Sequence, residues 1–401
     1  MASASSSSRV PIQGHDAYTT PSSGKANATS SNSPSTVIPA ITFRVYPTEL
    51  DNIEKLWRDR YSFFLQQGLE LRPRYHPDWT PSWIGTSINP TYCEDAIQQI
   101  IPGVLDAKRL SDGSIVCIKR IQKKTDEVEI AQYLSCGRLK DARNHCVEIL
   151  GTFNDPLLPD VKYLVMPSLR PFDDPEFGAV GEAVDFVTQI LEGLSFMHSH
   201  LVAHGDLTGL NIMMDGRPIL PGGWHFVDGC FTPDGIDELR PLARIDHPVR
   251  YFIIDYDCSV RFRPGESPVI HGLGGRDQDL PELALYQPFD HFKADVFTLG
   301  NVFLKDFKQK YLGLDFLDVL IDAMMTREPG QRLTAPASLD LWYRIRSGLS
   351  VSMAPWRLRK PDESVSERVI NTIVAARDGI HSLGSIFYRN SSQAKGTWPK
   401  P

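Results

Sequence analysis

The chain is short of several things that would point to particular functions. None of its six cysteines forms a CxxC pair or stands at zinc-finger spacing from histidine, which argues against a cysteine-based zinc site. Cys146 follows His145, but one adjacent pair does not make a metal site. No apolar run approaches the ~20 residues of a membrane-spanning helix. There is no excess of basic charge: 42 Lys and Arg stand against 49 Asp and Glu, a net charge of −7, which disfavours binding to a nucleic-acid backbone. The first residues, MASASSSSRVPIQ, lack the apolar stretch of a secretory signal. With the unpaired thiols, this leads us to expect a reducing compartment, cytoplasm or nucleus, and no secretion. Internal repeats are absent as well.

What remains is ordinary for a globular chain of 401 residues, 41% hydrophobic and 23% charged, with 30 prolines and 29 glycines marking many loops. Residues 1–40 are rich in Ser, Thr, Pro and Gly and read as a disordered tail. Ile41 to Tyr46 alternate like a short strand. A helix is expected next, capped by Thr48, with Leu50, Ile53, Trp57, Tyr61 and Phe64 on one face and Gly68 as its stop. Residues 71–90, with Trp79, Trp83 and repeated prolines, read as irregular, so 41–103 forms an N-terminal extension. Val104–Leu110 and Ser114–Ile121 then form a β-hairpin turning at Asp112-Gly113. A helix over 126–134 and a strand over 162–166 follow. Beyond Gly181 the pattern is mainly helical, clearest where Val184, Val187, Ile190, Leu191, Leu194 and Met197 recur.

The most informative stretch is His204-Gly205-Asp206-Leu207-Thr208-Gly209-Leu210-Asn211, directly after that helix. An aspartate with an asparagine five residues on suits a phosphotransfer loop. The carboxylate can take a proton from an attacking hydroxyl, and the amide oxygen can hold a cation on the phosphates. Downstream, the apolar run Tyr251-Phe252-Ile253-Ile254 ends in Asp255, a suitable second cation ligand. Upstream, Val116-Cys117-Ile118-Lys119 ends in a lysine available for phosphates. Glu129, on the following helix, is the favoured partner for that lysine, with Glu127 two residues away as the alternative.

In these motifs the chain resembles the eukaryotic protein kinase family, from about Val104 to about Leu339. Val116 to Lys119 is similar to the V-A-I-K strand. His204 to Asn211 matches H-R-D-L-x-x-x-N at His, Asp, Leu and Asn, and Asp255-Tyr256-Asp257 occupies the D-F-G slot. Leu280-Pro281-Glu282 is similar to A-P-E. Asp295 to Gly300 resembles D-x-W-S-x-G, and Arg332 stands where the family pairs an arginine with the A-P-E glutamate. A weaker resemblance is to divergent kinase-like proteins of fungi.

The resemblance implies an α+β, two-lobed fold: a small β-rich lobe over 104–168 and a larger helical lobe over 169–346, with an extension over 347–401. It implies ATP and Mg as cofactors and a protein substrate or partner; charge and the short apolar runs already lead us to expect no nucleic acid and no membrane. Lys119 would hold the α/β-phosphates, Glu129 would position it, and Asp206 would be the base. Asn211 and Asp255 would be Mg ligands, and Met166 and Leu169 would border adenine. The activity implied is transfer of the ATP γ-phosphoryl group to a Ser or Thr hydroxyl.

The chain also departs from the family. No G-x-G-x-x-G precedes the hairpin. Gly205 replaces the arginine of H-R-D, so activity is expected to be independent of loop phosphorylation. Thr208 replaces a lysine, Asp257 replaces the glycine of D-F-G, and about 218–249 read as an inserted loop. These departures keep two alternatives open: a pseudokinase acting as a binding module, and a small-molecule kinase of the aminoglycoside or choline type.

Overall fold

The computed structural model describes residues 48–364 and 366, except 100, 123 and 272–274. The tail over 1–40, the strand expected at Ile41 to Tyr46, and most of the C-terminal extension lie outside the described residues. The fold is α+β, an antiparallel sheet followed by a mainly helical part. Among the described residues no helix is long and apolar enough to cross a membrane.

The first helical pattern resolves into two short helices, α1 (Asn52–Arg58) and α2 (Tyr61–Gln66). The cap is Asp51 and not Thr48. Asp51 accepts from the Glu54 N–H at 2.8 Å while Glu54 accepts from the Asp51 N–H, a reciprocal box. Trp57 and Phe64 are buried as expected, but Ile53 is exposed and Glu54 fully buried, because Arg74 pairs with it from below. Gly68 does end the pattern, with φ +79°.

Three residues, Leu69–Leu71, form β1, a strand too short to read by alternation. It lies inside the segment taken as an extension, so the sheet begins earlier than the hairpin. Next come β2 (Val104–Arg109), β3 (Ile115–Gln122), helix α3 (Glu127–Leu134), β4 (Gly151–Asn154) and β5 (Val161–Pro167). The antiparallel order is β1-β2-β3-β5-β4. One face, carrying Leu105, Ala107, Val116 and Ile118, is buried under Trp57, Phe64 and Tyr75. Register places Val104 opposite Lys119 and Asp106 opposite Cys117, so these four share the other face.

Below that face lies the larger core, built around α4 (Val180–Ser199), whose apolar positions are almost all buried. Short strands precede and follow α4: β6 (Arg170–Pro171), β7 (Val202–Ala203), β8 (Ile212–Met214), β9 (Tyr251–Ile253) and β10 (Val260–Arg261). After β11 (Val269–Ile270) and β12 (Phe289–Asp290) come α5 (His291–Val302), α6 (Asp318–Met324) and α7 (Ala335–Gly348). Trp342 of α7 is fully buried and donates to Thr188 on α4 at 2.9 Å.

A buried ion pair ties the segment before α5 to the region after α6. Arg332 donates to both oxygens of Glu282, at 2.7 and 3.0 Å, with both side chains nearly inaccessible. Removing one partner strands a buried charge. Glu282→Ala is expected to lower the unfolding free energy by about 3–5 kcal/mol in urea denaturation; a change within the scatter of surface substitutions would contradict this role.

Candidate functional site

Two strand pairs assemble the site. β8 and β9 run antiparallel with Ile212 opposite Ile253, which puts Asn211, just before β8, beside Ile254 and Asp255, just after β9. The Ile254 N–H donates to the Asn211 carbonyl at 3.0 Å. The long segment joining β8 to β9 leaves from their far end, so the insertion leaves this end undisturbed. Likewise β7 pairs with β10, which sets His204 beside Ser259, whose hydroxyl donates to the His204 carbonyl at 2.9 Å.

The loop that begins at His204 hangs on one buried carboxylate from α5. Asp295 accepts from the His204 and Gly205 N–H groups at 2.7 and 2.8 Å, and His198 Nε2 donates to it at 2.9 Å. Burial works to raise its pKa, but the His198 contact and the Gly205 N–H hold it below the usual aspartate value. His204 turns its ring under the loop, Nδ1 accepting from the Asp206 N–H and Nε2 donating to the Ile254 carbonyl. Asn211 Nδ2 then donates to the Asp206 carbonyl at 2.7 Å and to Asp206 Oδ2 at 2.9 Å. Asp206 and Asn211 are both buried.

Gly205 has a steric reason to lack a side chain. Its φ is +82°, and a Cβ there would lie 2.3 Å from the Cys258 carbonyl oxygen. An arginine in this backbone conformation is excluded.

Above the loop, Lys119 Nζ lies 2.5 Å from Glu127 Oε1 and 2.7 Å from Asp255 Oδ1. Glu127, not Glu129, is therefore the partner on α3. Glu127, Ala131 and Leu134 share the buried face, whereas Glu129, two residues on, is turned outward, 62% exposed and bonded to Lys162. Burial opposes the charge on Lys119, but Glu127 and Asp255 outweigh it and raise its pKa. Burial likewise opposes the charge on Asp255, which Lys119 first, then His204 and Arg276, hold below its ordinary 3.8. Asp255 has a left-handed backbone, φ +67°, a conformation costing about 1 kcal/mol or more in a non-glycine residue. Tyr256 beside it is buried, its hydroxyl donating to the Ile253 carbonyl, while Asp257 is exposed.

Sequence reasoning missed Arg276. Its N–H donates to Asp206 Oδ1 at 2.6 Å, and its guanidinium lies 3.6 Å from Asp206 Oδ2 and 3.8 Å from Asp255 Oδ2. It also missed Asp106, which shares the site face of the sheet with Lys119. Arg72 and Asp106 are both buried, and neither Arg72 Nη1 nor Asp106 Oδ1 has a hydrogen-bond partner among the described residues. Burial raises the Asp106 pKa against the pull of Arg72 and His225.

The two residues expected around adenine are both buried in the larger core, and one of them also borders a cavity. Met166 stands opposite Cys117 and is buried in the larger core. Leu169 lines a cavity of about 560 Å³ with Pro167, Val147, Phe252 and Trp224; Lys119, Asp206, Asn211 and Asp255 do not border it. The inserted loop wraps this edge. Its Trp224 stacks on Arg170, and His225 Nε2 lies 3.5 Å from Glu94, in the long β1–β2 connection. A second cavity, about 510 Å³, opens beside the loop between Thr208, Gly209, Arg276, Asn301 and Asp306.

Asn211 Oδ1 and the carboxylates of Asp206 and Asp255 are hard oxygen donors and fit a small divalent cation that takes its other ligands from phosphate. Among the described residues no three His, Cys, Asp or Glu side chains group as a metal site by themselves. A scan against protein-family models finds no match to this chain.

Two outcomes follow from the lysine. Glu127→Gln is expected to disturb the site as strongly as Lys119→Met, while Glu129→Gln leaves it intact; the environment of Lys119 Nζ, followed by NMR of lysine labelled at the ε-carbon, checks this. Because the folded Asp255 pKa lies below the unfolded one, its contribution to stability is complete above 3.8 and lost as pH falls through the folded value. The stability difference between wild type and Asp255→Asn should therefore shrink from about pH 5 to about pH 3 in denaturant titrations; a constant difference would contradict the linkage.

Proposed function

We propose that the protein is a protein-kinase-like phosphotransferase that moves the γ-phosphoryl group of ATP to a protein Ser or Thr hydroxyl. The observation that carries this reading is the convergence of Lys119, Glu127 and Asp255 above Asp206 and Asn211. The sheet order with α3 following β3, the Asp295 anchor and the Glu282–Arg332 pair support it as framework.

On this reading Lys119 binds the α/β-phosphates, and Glu127 keeps the ammonium charged and aimed across the cleft. Asp206 orients the substrate hydroxyl and takes its proton as the oxygen attacks the γ-phosphorus and the bond to the bridging oxygen breaks. Asn211 fixes the Asp206 carboxylate by its amide N–H and keeps Oδ1 for a cation. Asp255 offers its second oxygen to the same cation. Bound Mg²⁺ would supply charge neutralisation on the phosphates.

A second reading, a binding module without transfer, is favoured by Asp106. A buried acidic residue on the same sheet face as Lys119 stands where a nucleotide would lie. The contact between the β1–β2 connection and the inserted loop also narrows that side. The two readings separate in a radiolabelled ATP transfer assay. The first expects protein phosphorylation by wild type that falls at least about a hundredfold in Asp206→Ala and in Lys119→Ala. Transfer unchanged by either substitution would refute the site, and no transfer by wild type would favour the second reading.

A further inference from the structure

The oxygens at the heart of the site already face a cation, and the chain itself supplies it. Gly275 and Arg276 pass directly across the catalytic loop. A Cβ at Gly275 would lie 2.6 Å from the Gly205 carbonyl oxygen and 2.7 Å from Asp206 Oδ1, so the backbone can approach this closely only at glycine. The next N–H, from Arg276, donates to Asp206 Oδ1 at 2.6 Å. Its guanidinium then spans the ligand set, Nε 3.6 Å from Asp206 Oδ2, Nη2 3.8 Å from Asp255 Oδ2 and Nη1 3.5 Å from Asn211 Oδ1.

The segment is anchored just beyond this point. Asn301 Nδ2 donates to both oxygens of Asp277 at 2.9 Å and to Asp279 at 3.1 Å, and Lys305 pairs with Asp279 at 2.6 Å. Anchored chain therefore delivers the arginine to the three oxygens. Its charge is permanent across the working pH range. A divalent cation on the same oxygens would be repelled by a guanidinium within 4 Å of them. The side chain is 53% exposed and its contacts are loose, so it can swing to solvent while its N–H stays in place.

We propose that Arg276 is the built-in cation of the Asp206–Asn211–Asp255 site, and that a divalent metal binds there only by displacing its guanidinium. The proposal rests on the reading of Asn211 and Asp255 as cation ligands beside Asp206. It makes Arg276 a specificity-determining residue. With the guanidinium seated, its positive charge stands within 4 Å of Asp206 Oδ2, Asp255 Oδ2 and Asn211 Oδ1, and a metal approaching those oxygens meets that charge first.

The test is binding of Mn²⁺ alone to the full chain without nucleotide, read from the free-ion paramagnetic resonance signal. Arg276→Gln should bind Mn²⁺ about fivefold more tightly than wild type, the scale of removing half-exposed ion pairs. Arg276→Lys, which keeps the charge, should stay near wild type. Equal affinity in wild type and Arg276→Gln, or binding in neither, overturns the proposal. Adding Asp255→Asn to Arg276→Gln should abolish the gain. If Mn²⁺ affinity ignores Asp255→Asn, the ligand assignment itself has failed.

Discussion

The ammonium of Lys119 joins three elements that are far apart in the chain. It leaves β3, meets Glu127 on α3 and crosses to Asp255, the residue that follows β9. Each partner would be costly to bury alone, and one lysine satisfies both. The contact fixes how the sheet stands over the strands that carry Asn211 and Asp255. It also offsets the left-handed backbone of Asp255, a local strain that persists only where the surroundings demand it. The loop below is secured independently by Asp295, so the two halves of the site are set by separate buried or half-buried charges.

Where the chain departs from the pattern it resembles, the structure gives physical reasons for some changes and not for others. Gly205 is dictated by the Cys258 carbonyl and by its own positive φ. Asp257 is exposed, and its charge adds to the burial that opposes ionisation of Glu127. Residues 72–103 connect β1 to β2 in place of a tight glycine turn. They hold their own small core of Trp83, Cys93 and Ala96, with Asp95 accepting from Trp79 and Ser82. Thr208 has a buried hydroxyl with no hydrogen-bond partner among the described residues, and nothing in the structure explains the substitution.

Much of this was legible in the sequence wherever a pattern repeats. The β2–β3 hairpin, α4 and the strand before Asp255 have periods or turn residues that fix their type. The order of His204, Asp206, Asn211, Asp255, Glu282, Asp295 and Arg332 gave the site its outline. What escaped depends on facing, not on type. Glu127 and Glu129 are the same residue type, and only the helix angle separates them. β1 is three residues long, below any usable period. The Asp51 cap was hidden by Thr48 nearby, although Glu54 three residues on was the available signal. Arg276 and Asp106 could not be found, because their roles come from tertiary contacts across about 70 residues of chain in one case and from strand register in the other. For Arg276 itself, the preceding Gly275 was the one local hint.

The central claim is that Lys119, held by Glu127 and Asp255, faces the phosphates of a nucleotide. Calorimetric titration of the full chain with Mg·ATP tests it most directly. The account predicts binding by wild type and affinity weakened at least about tenfold in Lys119→Met with the fold intact by circular dichroism. Binding of equal strength in the two proteins, or none in wild type, would contradict it.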